Sequence, residues 1–200
     1  MCAVLTGVGA VVNTAKVTPG SSALIVGLGG VGLSGLLGAI AAGAHPIIAA
    51  DINEDKLKLA LELGATYVVN PADKEAVEQI KQLTQGGVDF AFEFAGATSA
   101  MEFAYNSTRR GGTTITAGLP HPTAIWPIHQ LTITAEERTI KGSYIGSSIP
   151  SRDIPRYIAL YQAGKLPINK LIGQKIKLDQ INEGFDRLSK GHSLRDLIVF

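Results

Sequence analysis

The run Gly27-Leu28-Gly29-Gly30-Val31-Gly32 constrains this chain more than any other feature. It follows an apolar burst at 23–26 and opens a stretch of small and branched residues at 31–42 that closes on Gly43. Strand, glycine turn and helix in that order leave unpaired N–H groups and a partial positive charge where a phosphate can sit. Gly27 permits the tight turn, Gly29 lets the backbone approach a pyrophosphate, and Gly32 lets the helix pack close to the strand. A second apolar run at 46–50 ends at Asp51, about 20 residues past the loop, where a carboxylate accepts hydrogen bonds from ribose hydroxyls. Among 23 glycines the spacing alone would say little, but strand, helix and acid together make it specific. The sequence therefore predicts a dinucleotide-binding domain of Rossmann type, with Gly27 to Gly32, Asp51 and Ile52 facing the cofactor. A carboxylate repels a 2′-phosphate, so NAD is expected over NADP. Lys56 lies one helical turn beyond Asp51, placed either for the same ribose or as a surface lysine.

Along the rest of the chain, apolar bursts alternate with helical stretches. Strands are predicted at 23–26, 46–50, 67–70, 88–94, 113–117 and 138–143. Helices are predicted at 31–42, 54–63, 73–84 and 99–107, with Gly64 as a C-cap. Units of about 20–25 residues imply an α/β fold, a doubly wound parallel sheet with helices on both faces and right-handed crossovers. Beyond Pro150 the pattern changes to helices at 154–163 and 181–188 and a closing apolar strand at 193–200. The expected division is 1–18 (an N-terminal helix), 19–146 (the cofactor-binding domain) and 147–200 (C-terminal segments).

Charge and cysteine content exclude several classes. Eighteen Lys+Arg oppose 17 Asp+Glu, so no basic face is available for nucleic acid or an anionic membrane. Cys2 is the single cysteine, which points to a reducing, cytoplasmic setting without an internal disulfide. The first residues lack the pattern of a signal peptide. Residues 21–50 contain no Asp, Glu, Lys or Arg, long enough on paper to span a bilayer, but the clustered glycines and His45-Pro46 break the run into strand, turn, helix and strand. The histidines His45, His121, His129 and His192 are scattered over loops, none at metal-ligand spacing from Cys2.

Several segments at matching spacing resemble a known family: Cys2-Ala3-Val4-Leu5-Thr6-Gly7, Ala15-Lys16-Val17-Thr18-Pro19-Gly20, the glycine loop, Asp51-Ile52-Asn53, Leu63-Gly64-Ala65-Thr66, Gly87-Val88-Asp89 and Ile181-Asn182-Glu183-Gly184-Phe185. They are similar to the zinc-dependent alcohol dehydrogenases of the medium-chain dehydrogenase/reductase family. The resemblance covers essentially the whole chain, yet members of that family are nearly twice as long. Their N-terminal half forms a catalytic domain that supplies most of the zinc ligands and the proton relay. What the resemblance implies is therefore the NAD-binding half of such an enzyme, with no catalytic residue of its own. Cys2 matches the last catalytic-zinc ligand, and one thiolate cannot hold a site that needs three protein ligands and an open position. Zinc is expected only in a full-length relative.

The same resemblance implies further cofactor contacts. Thr6 matches a residue touching the nicotinamide, and Val31 one packing behind its ring. Phe94 and Ala95 match positions on the adenosine side. Ala117, with Gly118 and Leu119 after it, and Ser143 and Ile145 match the carboxamide-binding region. Arg195 matches a residue reaching the pyrophosphate, a role that suits a guanidinium.

The alternative reading is a non-catalytic NAD-binding or assembly module. A methyltransferase also places an acid after its second strand, but the intact glycine spacing and the family resemblance count against it. A homodimer is expected through the sheet edge at 139–143 and the Pro-rich loop that carries Trp126. Val4, Leu5, Val11, Val12, Leu166, Leu171, Ile198 and Val199 are expected to form an exposed apolar patch where a catalytic domain would pack.

Overall fold

A computed structural model describes residues 2–189, 191, 193 and 195–200. A six-stranded, all-parallel sheet forms its centre, in the order β3-β2-β1-β4-β5-β6. Its strands are β1 (Ala23–Val26), β2 (Ile47–Ala50), β3 (Tyr67–Val69), β4 (Val88–Glu93), β5 (Thr108–Thr116) and β6 (Thr139–Gly142). Every residue of β1 and β2 is buried, as expected of central parallel strands covered on both faces. The helices are α1 (Cys2–Gly9), α2 (Gly30–Ala41), α3 (Glu54–Leu63), α4 (Ala76–Thr84), α5 (Thr98–Ser107), α6 (Gln130–Ala135), α7 (Pro150–Gln162) and α8 (Ile181–Ser189). One apolar core on one face of the sheet gathers Ile25, Leu33, Leu37 and Phe92, and a second on the other face gathers Leu24, Ile48, Ile80 and Phe103. This is the doubly wound Rossmann arrangement that the sequence predicts.

α2 explains the uncharged run. It is a helix of 12 residues whose Leu33, Leu36, Leu37 and Ala39 are all buried, sandwiched between the sheet and α1. Among the described residues no helix is long and apolar enough to cross a membrane. α3 owes its ends to local chemistry. The Asn53 side chain accepts from the Asp55 and Lys56 N–H groups, and Gly64 closes the helix at φ 113°.

The expected apolar patch is corrected by the structure. α1 continues into a π-helical turn (Ala10–Ala15), and both lie along α2 so closely that a Cβ on Gly7 would stand 2.2 Å from the Val31 carbonyl oxygen. Leu5, Val11, Leu166 and Leu171 are buried, and Val4 and Val12 pack against the same core. The cover they need is supplied within the chain, by α7 and the 3-10 turn Ile168–Leu171. Ile198 and Val199 do remain exposed.

Other boundaries shift for identifiable reasons. The helix expected at 73–84 begins at Ala76 because 71–75 forms turns. The strand expected at 113–117 begins at Thr108, with an irregularity in its pairing to β4 between Val88 and Phe90. α7 begins at Pro150, where a proline at the first helical position lacks an N–H the helix does not need. α6 and the short strand β7 (Lys175–Ile176) lie where no element was predicted. Of the closing strand expected at 193–200, Leu197–Ile198 (β8) pairs with β7, while 192 and 194 lie outside the described residues.

Candidate functional site

The glycine loop leaves β1 and enters α2 at the carboxyl end of the sheet. Gly27 takes φ +88°, a conformation that other residues adopt only with strain. A Cβ on Gly32 would lie 1.7 Å from the Gly27 carbonyl oxygen, so only glycine lets the first turn of α2 close over the loop. At Gly29, by contrast, a Cβ would meet no atom within 4 Å. This space in front of Gly29 adjoins the N-terminus of α2, where unpaired N–H groups favour an anion. The Arg195 side chain reaches the same place, its Nη2 3.4 Å from where a Gly30 Cβ would stand. It forms no ion pair with any described residue.

Asp51 sits at the end of β2, almost buried, and does more than the sequence suggests. Its Oδ2 accepts the Leu28 N–H at 2.7 Å, and its Oδ1 accepts the Asn53 N–H at 2.9 Å. The carboxylate thus rivets the glycine loop to the start of α3, with lone pairs left over for a ribose diol. Leu28 itself turns into the core, and its N–H is spent on Asp51. Lys56 Nζ stands 3.8 Å from Asp51 Oδ2, while Ile52 beside it is 74% exposed, an open apolar surface.

Across β1, the ends of β4, β5 and β6 carry the other predicted residues. Phe94 stacks on Phe92, with 6.1 Å between ring centroids, and its ring fills the place where a Gly35 side chain would go. Phe94 therefore packs partly inward, whereas Ala95 is exposed against Gly27. The Ala117 and Gly118 N–H groups both donate to the Glu93 carbonyl, at 3.0 and 3.1 Å, and Leu119 is exposed. The Ser143 N–H donates to Thr116, which keeps that residue in the sheet ladder, and its hydroxyl pairs with Thr14 at 2.8 Å. Thr6 and Gly146, next to Ile145, meet between α1 and the turn after β6: a Gly146 Cβ would be 2.8 Å from the Thr6 carbonyl oxygen. Val31, half-buried, lies on the first turn of α2.

Some site residues escaped the sequence reading. Glu93 is buried at the end of β4 and accepts the Gly96 N–H at 2.5 Å and the Thr116 hydroxyl at 2.8 Å. It ties the loop after β4 to the end of β5. A carboxylate at a strand end is the signal that was available, and nothing in the spacing says which way it points. Beside the loop lies an apolar cleft of about 370 Å³, lined by Val4, Gly30, Ser34, Tyr157, Ile172 and Arg195. Gly30 and Arg195 place it next to the space in front of Gly29, and Asp51 is not among its lining residues.

A metal finds no such preparation. Cys2 is exposed, its Sγ 3.8 Å from the Thr6 hydroxyl. Among the described residues no three His, Cys, Asp or Glu side chains converge as ligands. His45, His121 and His129 are exposed and join no such cluster; His192 lies outside the described residues.

Comparison with known proteins agrees with this geometry. A family model described as zinc-binding dehydrogenase matches residues 30–163. Benzyl alcohol dehydrogenase from Acinetobacter calcoaceticus superposes with a TM-score of 0.95 at 38% identity, covering 98% of this chain and 54% of that one. An alcohol dehydrogenase zinc-binding domain protein from Burkholderia ambifaria gives 0.94 at 35% identity, covering 98% and 52%. 2R,3R-butanediol dehydrogenase from Bacillus subtilis gives 0.85 at 33% identity, covering 98% and 56%. The chain thus spans about half the length of these relatives.

Proposed function

The chain belongs to the zinc-binding dehydrogenase family, and from that premise we propose that it is the NAD(H)-holding half of an alcohol dehydrogenase. The observation that carries this reading is the cradle at Gly29, open in front and backed by the N-terminus of α2, with the Asp51 carboxylate beside it. Gly29, Gly30 and Arg195 would hold the pyrophosphate. Asp51 would accept the adenosine ribose hydroxyls, with Lys56 alongside and Ile52 flanking the adenine. Thr6, Val31 and the segments at 117–119 and 143–145 would surround the nicotinamide end. When bound, NAD supplies a hydride acceptor at its nicotinamide. The protein's part is to fix that ring against the ends of β4 to β6 and to exclude water from one face.

Zinc does not fit this chain. A catalytic zinc needs three protein ligands and an open position, and Cys2 stands without companions among the described residues. Polarising the alcohol oxygen is therefore work for residues outside the 200 present here. The chain taken alone binds cofactor without oxidising alcohol, as the module reading also requires.

In this reading residues 19–146 carry most of the cofactor, and Thr6 and Arg195 reach it from the flanking segments 1–18 and 147–200. On the same reading the setting is cytoplasmic, in keeping with a single cysteine. A two-fold mate pairs with β6, an outer strand with every residue exposed. Calorimetric titration with NAD and NADP tests the central claim: NAD binding tighter than NADP is expected. NADP binding of equal or greater strength would overturn it.

A further inference from the structure

The turn after β6 departs from ordinary backbone. Ile145, Gly146 and Ser147 have φ of 49°, 66° and 49°, three left-handed residues in a row with only the middle one glycine. Such a conformation persists only where its surroundings over-determine it. Three side chains do so from both flanks. The Asn13 amide donates toward the Gly146 carbonyl at 3.3 Å, the Ser148 hydroxyl at 3.4 Å and the Asp153 carboxylate at 3.2 Å. The Thr14 hydroxyl meets Ser143 at 2.8 Å and Ser147 at 2.9 Å. Asp153, fully buried, accepts the Ile149 N–H at 2.9 Å and holds the Asn13 amide in place from behind. Gly146 is pressed on α1 so tightly that a Cβ would be 2.2 Å from the Leu5 carbonyl oxygen.

Asn13 and Thr14 are neighbours on the π-helical turn, which presents both to the same loop; π-turns inside helices are frequent at functional sites. In this topology a dinucleotide lies across the carboxyl ends of the strands. With its adenosine at β2, its other end falls over β4 to β6, where this turn stands. We propose that Asn13, Thr14 and Asp153 form a clasp that fixes the 145–147 turn for the nicotinamide end of the cofactor. They are positioning residues, since each acts through the turn. The inference rests on the reading of the chain as a dinucleotide binder.

The test compares NADH with ADP-ribose, which carries both phosphates and the adenosine but no nicotinamide. In the 200-residue chain, Asn13→Ala should weaken NADH binding about tenfold or more and leave ADP-ribose within about twofold. Thr14→Val, nearly isosteric, should act the same way and serves if Asn13→Ala does not fold. Equal losses for both ligands, or no loss for NADH, would overturn the clasp. A wild-type chain that binds ADP-ribose as tightly as NADH would also overturn it, with the cofactor reading intact. A wild-type chain that binds neither would overturn the cofactor reading itself, and the clasp with it.

Discussion

At the scale of single residues, the glycine loop separates binding from folding. A side chain at Gly29 meets no protein atom within 4 Å, so Gly29→Val should leave the unfolding temperature almost unchanged and abolish NAD binding. Gly32→Ala should instead cost stability, since its Cβ would stand 1.7 Å from a backbone oxygen of the loop; a loss of about 3 kcal/mol or more is expected, with the loop disturbed as well. Thermal melts and calorimetry on both variants check the contrast. Asp51 needs a different substitution because it also holds the Leu28 N–H. Alanine would strand that buried donor at about 1–3 kcal/mol, whereas Asp51→Asn keeps an acceptor there. Asp51→Asn should therefore narrow the preference for NAD over NADP by about tenfold or more, and cost less stability than alanine, since its amide oxygen still accepts the Leu28 N–H while its NH2 replaces the oxygen that faces the Asn53 N–H. The carboxylate and the glycines were legible in the sequence because a strand, a glycine turn, a helix and a second strand fix their spacing within one short stretch of chain. Asn13, Thr14, Glu93 and Asp153 were not, because each meets a partner on a segment well separated from it in the chain.

At the scale of elements, α7 is anchored at its first turn by Asp153. Hydrogen bonds from Arg152 hold this carboxyl well below the usual carboxylate range, helped by the Ile149 N–H and by Arg156 against the opposing effect of burial. In Asp89, burial pushes upward but is outweighed by the Ser22 and Arg109 hydrogen bonds, so its pKa is lowered as well. Both groups titrate lower in the folded chain than in the unfolded one, where a carboxyl sits near about 3.9. Their stabilisation is complete above about pH 5 and is lost as the pH falls through the folded values. The unfolding temperature should drop between about pH 5 and pH 3, less steeply in Asp153→Asn than in wild type.

β1 and β2 were predictable because continuous apolar runs closed by Gly27 and Asp51 leave few alternatives, and β4 because Gly86-Gly87 and Gly96 bracket a run rich in apolar residues. α6 was not. It is six residues long, buries none of them, and is held by contacts from outside: Trp126 edge-on to Tyr105 at 5.4 Å, Arg138 over the same ring at 4.6 Å, and the Tyr105 hydroxyl on Thr132 at 2.7 Å.

At the scale of the whole molecule, the proposed association turns on β6. Ser143 donates to Thr116, and peptide groups alternate sides along a strand, so Ile140 points its N–H away from β5 and outward. Ile140→Pro should therefore spare the sheet and convert a dimer into a monomer, as read by light scattering at micromolar concentration. A wild-type chain that scatters as a monomer would refute pairing at this edge.

The cover over α2 has another consequence, in time rather than in space. Leu5 and Val8 come from the first helix, whereas Leu166 and Leu171 are made long after α2 itself. At about 5–20 residues per second, a growing polypeptide carries that oily helix half-clothed for on the order of ten seconds. This interval is when a chaperone that grips apolar segments would meet the nascent chain, and α2 is where it would hold on.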